Sequence, residues 1–297
     1  MKGRVIENEV LRVSVADAGA ELVSVVDRQT KHEYIWNADP AVWNRHAPIL
    51  FPFVGKSSGG GYRYEDDFYP MGQHGFARDM EFVCVECEAT SVTYGLRADE
   101  KTMALYPFDF ELRVTHKLDE TNPRLLHVCW DVRNHGEDEM YYSIGGHPGF
   151  VVPAKEGESR ADYYLEFPGK EDISYSMINL ENGLIYADRK SELSLDHGFA
   201  PIKTDLFDLD ALVFEDYAVE KVRIAKPDKT PYVTMYSEGF PYFGIWSKPE
   251  GKFVCLEPWV GRADDDGFAG ELPEKTGVQC LEAGENIVIA YSIEFHE

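Results

Sequence analysis

The sequence predicts an all-β fold, a large antiparallel β-sandwich, on three observations. Apolar and polar residues alternate with period two in one segment after another. Gly, Pro, Asn and Asp punctuate those segments at short intervals. No stretch sustains the 3.6-residue period of an amphipathic helix. Hydrophobic residues make up 44% of the 297 positions, ample for a core, and the 13% aromatic content favours strands. No linker, low-complexity tract or internal repeat divides the chain, so residues 1–297 read as one domain, a length that large all-β folds reach.

The elements follow in order. Leu11, Val13 and Val15 alternate with Arg12 and Ser14, which predicts a strand. Pro40–Asn44 is a candidate helical turn, as is Lys203–Leu209. Ser58-Gly59-Gly60-Gly61-Tyr62 reads as a flexible hairpin loop. Leu126, Val128, Trp130 and Val132 alternate with His127, Cys129, Asp131 and Arg133. Val222-Arg223-Ile224 and Val233-Thr234-Met235 flank Lys226-Pro227-Asp228-Lys229-Thr230, a strand–turn–strand pattern. Ile287, Ile289, Tyr291, Ile293 and Phe295 close the chain with one more alternating run.

Charge and cysteines bound the function. The formal net charge of −24 argues against nucleic acid and anionic membranes as partners, and weakly against an anionic substrate. Five cysteines, Cys84, Cys87, Cys129, Cys255 and Cys280, form an odd set that reads as reduced thiols. Cys84 and Cys87 have metal-motif spacing, but residues three apart on a strand face opposite ways, and no second such pair exists. The N-terminus runs directly into strand-like sequence, and no apolar run is long enough to span a membrane, so a cytoplasmic location is expected. Three familiar motifs fail. Gly55-Lys56-Ser57 lacks the upstream glycine of a phosphate loop, because position 50 is Leu50. Asp264-Asp265-Asp266-Gly267 lacks the first and last ligands of a calcium loop. No GxSxG elbow is present.

The chemistry-bearing residues stand in three short segments. Gln73-His74-Gly75-Phe76-Ala77-Arg78-Asp79 and Gly145-Gly146-His147-Pro148-Gly149-Phe150 each place a histidine where glycine or proline interrupts a strand, so the imidazole can face a cleft. Cys255-Leu256-Glu257-Pro258-Trp259 places a carboxylate beside aromatics at a strand end. Histidine titrates nearest neutrality, and a carboxylate can serve as its complement, so the set predicts acid–base work on a polar ring such as a sugar. Every one of these residues also has a purely structural reading. His74 and His147 could cap bends, Glu257 could be an edge charge, and Asp210 could close an Asx turn. Arg78 could pair with Asp79 or reach a ligand. Trp246, Trp259 and Tyr242 could be core or a stacking platform. Of the other histidines, His46 is the best outside candidate.

Taken together and in order, Pro48-Ile49-Leu50-Phe51-Pro52, His74-Gly75-Phe76-Ala77-Arg78, Gly146-His147-Pro148, Asp210-Ala211-Leu212-Val213-Phe214, Gly244-Ile245-Trp246 and Cys255-Leu256-Glu257-Pro258-Trp259 resemble the aldose 1-epimerase (galactose mutarotase) superfamily, and within it the LacX-type branch. The resemblance implies a large β-sandwich with a sugar bound on a concave face. It implies that His147 is the general acid toward the ring oxygen, Glu257 the general base at the anomeric hydroxyl, and His74 a hydrogen-bonding second histidine. It implies that Asp210 binds sugar hydroxyls. Lys56 stands where the family usually has Arg, keeping the charge and losing the planar fork. Lys56 and Arg78 are therefore the expected cationic contacts. Ring opening needs loss of the O1 proton and gain of one at O5, from a carboxylate and an imidazolium on opposite sides of the C1–O5 bond. No cofactor or metal is called for, since nothing is oxidised and no phosphoryl group moves. The expected partner is a small free sugar. A hexose 6-phosphate epimerase and a sugar-binding or sensing protein are the alternatives; a glycosidase would need a second facing carboxylate.

Overall fold

The computed structural model describes residues 2–297, with twenty-four strands, one short α-helix and four 3₁₀ turns among them. Two large antiparallel sheets carry the architecture. A nine-stranded sheet runs from Phe199–Pro201 at one edge to Val83–Cys87 at the other, with Asn286–Phe295, Leu125–Asn134 and Phe110–Leu118 near its centre. An eight-stranded sheet runs from Ile185–Ser194 through Leu212–Phe214, Tyr242–Trp246 and Phe253–Val260 to Ile144–Gly146 and Ile49–Leu50. Gly3–Glu7, Leu11–Ala16 and Leu22–Asp27 form a separate three-stranded sheet.

The alternation read from sequence becomes the core. Leu126, Val128, Trp130 and Val132 are buried while their neighbours are half exposed. Leu125–Asn134 pairs with both Phe110–Leu118 and Asn286–Phe295, so its inward residues meet the inward residues of two partners. The predicted hairpin is Lys221–Ala225 against Pro231–Tyr236, closed by Lys226 N–H donating to the Thr230 carbonyl at 2.9 Å.

Phe253–Val260 differs, because it is buried on both faces. Val254, Leu256 and Val260 join the main core. On the other face Phe253 and Cys255 join one small cluster and Trp259 another, with Glu257 between them. Two strand glycines make room for Trp259. A Cβ on Gly244 would lie 2.4 Å from its indole, and one on Gly145 would lie 2.6 Å from it. The ring therefore lies across bare backbone on both neighbouring strands.

Several local expectations are corrected. Proline does not end the strand at Glu257. Gly244↔Glu257 and Tyr242↔Trp259 pair on either side of Pro258, so the lost N–H interrupts the ladder without stopping it. Pro40–Val42 and Thr204–Leu209 are turns, not helices. The helix present, Glu100–Met103, was not foreseen, although Asp99 caps it by accepting from Lys101 N and Thr102 N. Ser58–Gly60 is a 3₁₀ turn leading into the hairpin Gly61–Tyr64/Asp67–Pro70, rather than the hairpin loop itself.

The packing of Trp259 makes one consequence measurable. Gly244→Val forces the indole off both glycines, and overpacking of this kind costs about 1–3 kcal/mol. Urea unfolding of the variant should show a lowered midpoint with an unchanged slope; an unchanged midpoint would mean that Trp259 relaxes freely.

Candidate active site

The register of one ladder sets the site. Ile144 and Gly145 pair with Val260 and Trp259, and Gly149, Phe150 and Val151 pair with Cys255, Val254 and Phe253. The paired numbers keep one constant sum across the gap, so His147 faces Glu257 across the two strands. The backbone holds this frame: Leu256 N–H donates to the Pro148 carbonyl at 3.3 Å, and His147 N–H donates to the Pro48 carbonyl at 3.1 Å. Residues directly opposite on antiparallel strands share a face. The side chains meet with His147 Nε2 3.3 Å from Glu257 Oε2. They stand side by side on one face of the sheet. Adjacency suits geminal oxygens, since O1 and O5 are bonded to the same carbon.

His74 comes from a different kind of backbone. It occupies the left-handed region (φ 70°), followed by Gly75 (φ 69°), where a Cβ would lie 2.2 Å from the Phe51 carbonyl oxygen. Only glycine fits there. The bend turns the His74 ring toward His147, edge to face with centroids 5.7 Å apart. Gly55 N–H donates to His74 Nδ1 at 3.0 Å, so in the neutral ring the proton sits on Nε2. Burial, with His147 and Arg78 nearby, holds His74 well below its ordinary value, so it stays neutral, with Nε2 3.2 Å from the Gln73 side-chain amide.

Burial decides the charge state of the facing pair. It pushes Glu257 well above the usual carboxylate range, and the Asp210 carboxylate adds to the shift. It pushes His147 down to about 3. Both directions favour an uncharged pair, with one proton held on Glu257 opposite a neutral imidazole. His147 Nδ1 and Glu257 Oε2 are buried with no hydrogen-bond partner among the described residues. Unsatisfied polar atoms at a cleft floor mark a ligand position. Cys255, two residues from Glu257 on the same strand face, completes a trio of ligand-type atoms within 4.8 Å of one another. Burial pushes its thiol up, and Cys255 packs in a cluster with Trp36 and Phe253.

The cleft above these groups encloses about 560 Å³. All six residues singled out in the sequence, His74, His147, Glu257, Asp210, Lys56 and Arg78, line it. Asp210 is also a turn residue (φ 73°), accepting from Ala211 N at 2.8 Å. Arg78 donates to the Gln73 carbonyl at 2.6 Å and lies 3.8 Å from Asp79. Lys56 is exposed and lies against Gly183. Trp246 and Trp259 line the cleft, whereas Tyr242 faces another depression and His46 packs against Glu21. Sequence reasoning missed Trp43, which stacks on His147 at 4.9 Å, and Lys248, a third cation on the wall. Trp43 sits in an irregular segment with no motif.

The acidic run excluded as a calcium loop is a latch. Asp264 pairs with buried Lys275 and accepts from Ser58 N at 2.8 Å. Asp265 binds Arg262 at 2.7 Å and Thr276 at 2.7 Å. Asp266 accepts from Asn179 at 2.8 Å and Asn182 at 2.9 Å. Arg262 also lies 2.8 Å from Glu215. The run thus fastens both the Lys56 loop and the turn around Gly183, the two segments that wall one side of the cleft.

The comparisons fit this geometry. Residues 4–271 match the family model described as Aldose 1-epimerase. The chain belongs to the aldose 1-epimerase family. Chromosomal protein LacX of Lactococcus lactis subsp. lactis is 31% identical, covering 94% of this chain and 96% of its own. A galactose mutarotase related enzyme from Lactobacillus acidophilus superposes with a TM-score of 0.91 at 34% identity, covering 99% of this chain and 97% of its own. A galactose mutarotase-like protein from Lactobacillus casei gives 0.89 at 32% identity, covering 99% and 100%. Membership of this family associates the chain with carbohydrate substrates and confirms the β-sandwich class.

Unpairing the latch should be costly. Lys275→Met leaves the buried Asp264 without its cation, and breaking one partner of a buried ion pair costs about 3–5 kcal/mol. Thermal unfolding should show a large drop in midpoint; a change within the scatter of surface variants would mean that Asp264 finds another donor.

Proposed function

We propose that this protein is an aldose 1-epimerase interconverting the α and β anomers of a free aldose. The observation that carries the reading is the His147–Glu257 pair, set face to face at 3.3 Å at the floor of a sugar-sized cleft, with the pair's one proton on Glu257. The proton count suits the reaction. Moving that proton from Glu257 to His147 yields a carboxylate and an imidazolium. Glu257 then takes the O1 proton as the C1–O5 bond breaks, and His147 gives its proton to O5, leaving an open-chain aldehyde. Rotation about C1–C2 presents the other carbonyl face. The two groups reverse roles, and the ring closes as the opposite anomer with both restored.

The surrounding residues bind and orient. His74 donates Nε2–H near the ring oxygen, where a neutral donor polarises without competing for the proton. Asp210, Lys56 and Arg78 take the remaining hydroxyls. Trp43 stacks on one face of His147 and limits its rotation. Three cations on the wall, Lys56, Arg78 and Lys248, stand with three carboxyls, Asp208, Asp210 and Glu257, and Arg78 is already engaged by the Gln73 carbonyl. That balance favours a neutral sugar over a phosphorylated one. Residues 1–297 act as one unit, consistent with a main core cluster that draws on Ile6 and Phe295 alike. The five free cysteines suit a reducing cytoplasm.

Two measurements test the proposal. Glu257→Gln keeps the shape and cannot accept a proton, and His147→Asn cannot donate one to O5. Each should lower kcat by about 10²-fold or more, with a smaller change in KM. Polarimetry on galactose and glucose reads this directly, and near-normal turnover in either variant removes that residue from the mechanism. The pH profile supplies the second test. Below the depressed value of His147, about 3, the pair gains a second proton and loses its base. Above the raised value of Glu257 it loses its one proton and its acid. The acid limb of the profile should therefore lie well below the ordinary histidine range, and the alkaline limb well above the ordinary carboxylate range. An acid limb centred near an ordinary histidine value would show that the two groups titrate separately.

A further inference from the structure

The outward face of the nine-stranded sheet carries a hydrogen-bonded chain that the cleft does not use. His127 on Leu125–Asn134 lies directly opposite Ser292 on Asn286–Phe295, so the two side chains share a face. Ser292 Oγ is 2.8 Å from His127 Nδ1, and Asp119 Oδ2 is 2.9 Å from His127 Nε2. All three residues are half-buried, and none lines the cleft. Asp119 stands in the turn between Phe110–Leu118 and Leu125–Asn134. Its Oδ1 accepts from Thr121 N at 2.8 Å, Thr121 Oγ at 2.7 Å and Asn122 N at 2.8 Å, which fixes the carboxylate and leaves Oδ2 for the ring. His127, with the N–H groups of the turn, holds the Asp119 carboxyl well below the ordinary carboxylate range. An ionised carboxylate only accepts, so it takes Nε2–H of the neutral ring and leaves a lone pair on Nδ1. Ser292 Oγ–H then donates to Nδ1. A hydroxyl, a base within reach of its proton and a third group orienting that base are the parts of an activated nucleophile. No motif marks the set, because its members lie on three separate segments and Ser292 sits in plain strand sequence, Tyr291-Ser292-Ile293.

We propose that Ser292, His127 and Asp119 form a nucleophilic triad, with Ser292 the acyl-acceptor site for small activated carboxylic esters. Ser292 Oγ bonds to the acyl carbon as its proton passes to His127 Nδ1. The ester C–O bond breaks, and the leaving oxygen departs with the electron pair and takes the proton from His127. The products are acyl-Ser292 and the free alcohol. Asp119 stabilises the imidazolium formed between the two transfers. Two features set the substrate class. Ser292 and His127 lie in strands paired on both sides, so their N–H groups belong to the ladders and are not aimed at a developing oxyanion. The ester must therefore bring a good leaving group, such as an aryloxide. The row Lys117–His127–Ser292–Tyr236–Lys221 crosses an open sheet face, which suits a small acyl group better than a long one.

Acetylation by p-nitrophenyl acetate tests this. The protein is mixed with the ester, quenched in acid and digested, and acetylated residues are located by peptide mass spectrometry. Ser174, exposed on Asp172–Ile178, is the internal comparison. A positioned base contributes about 10²–10⁴-fold, so Ser292 should react about tenfold or more faster than Ser174 even without an oxyanion hole. His127→Gln removes the base. Asp119→Asn offers an amide N–H to Nε2 and so favours the wrong tautomer. Each should bring the Ser292 rate down to that of Ser174, with the unfolding midpoint measured alongside. Should either variant fold poorly, the comparison of Ser292 with Ser174 in the unaltered protein still decides. A Ser292 rate no higher than that of Ser174, acetyl groups on Lys117 in place of Ser292, or a rate indifferent to either substitution each overturn the triad. Ser292→Ala should abolish this acetylation and leave anomer interconversion, read by polarimetry, unchanged. Absent interconversion in the unaltered protein would instead overturn the function proposed above and leave the triad standing.

Discussion

The pairing register of Phe253–Val260 is the constraint on which the rest depends. One shared strand places Glu257 opposite His147 on one side and opposite Gly244 on the other. A slip of one residue would turn Glu257 into the main core and Leu256 into the cleft. The strand is protected against that slip by having different apolar partners on each face, with Trp259 wedged over two glycines. The His147–Glu257 pair is therefore a by-product of sheet geometry, positioned by backbone hydrogen bonds rather than by flexible loops.

Burying two ionisable groups against each other is expensive if both are charged. This site avoids that cost by keeping the pair neutral, with the proton on Glu257. The same burial that raises Glu257 lowers His147, so the two shifts reinforce one state rather than opposing each other. His74 is neutral for the same reason and is fixed as a donor by Gly55. What the floor of the cleft lacks is a hydrogen-bond partner for His147 Nδ1 and Glu257 Oε2. A bound hydroxyl would supply it.

Much of this was legible in the sequence, and unevenly so. The period-two runs at Leu126–Val132 and Ile287–Phe295 became central strands, because side-chain alternation is a direct consequence of the pleat. His74 and His147 were conspicuous because glycine and proline beside them announced unusual backbone. Glu257 was found, but Pro258 disguised its place in the middle of a strand. Trp43 and Lys248 were invisible, since both lie in irregular segments where position depends on contacts made by distant chain. The acidic run at Asp264–Asp266 was legible only as what it is not. Its partners, Ser58, Asn179, Asn182, Arg262, Thr276 and Lys275, lie on separate segments, and no local rule links them.

That acidic run has a consequence for how such a scaffold can diversify. Three consecutive carboxylates hold the Lys56 loop and the Asn179–Gly183 turn to a common anchor, and the same two segments border the cleft and a second groove beyond Lys56. Widening one compartment by moving a loop would drag the boundary of the other. New ligand preferences are therefore more accessible through replaced side chains on a fixed frame than through loops that lengthen or swing. Inheritance on such a frame would preserve the outline of the binding surface and rewrite its chemistry one position at a time.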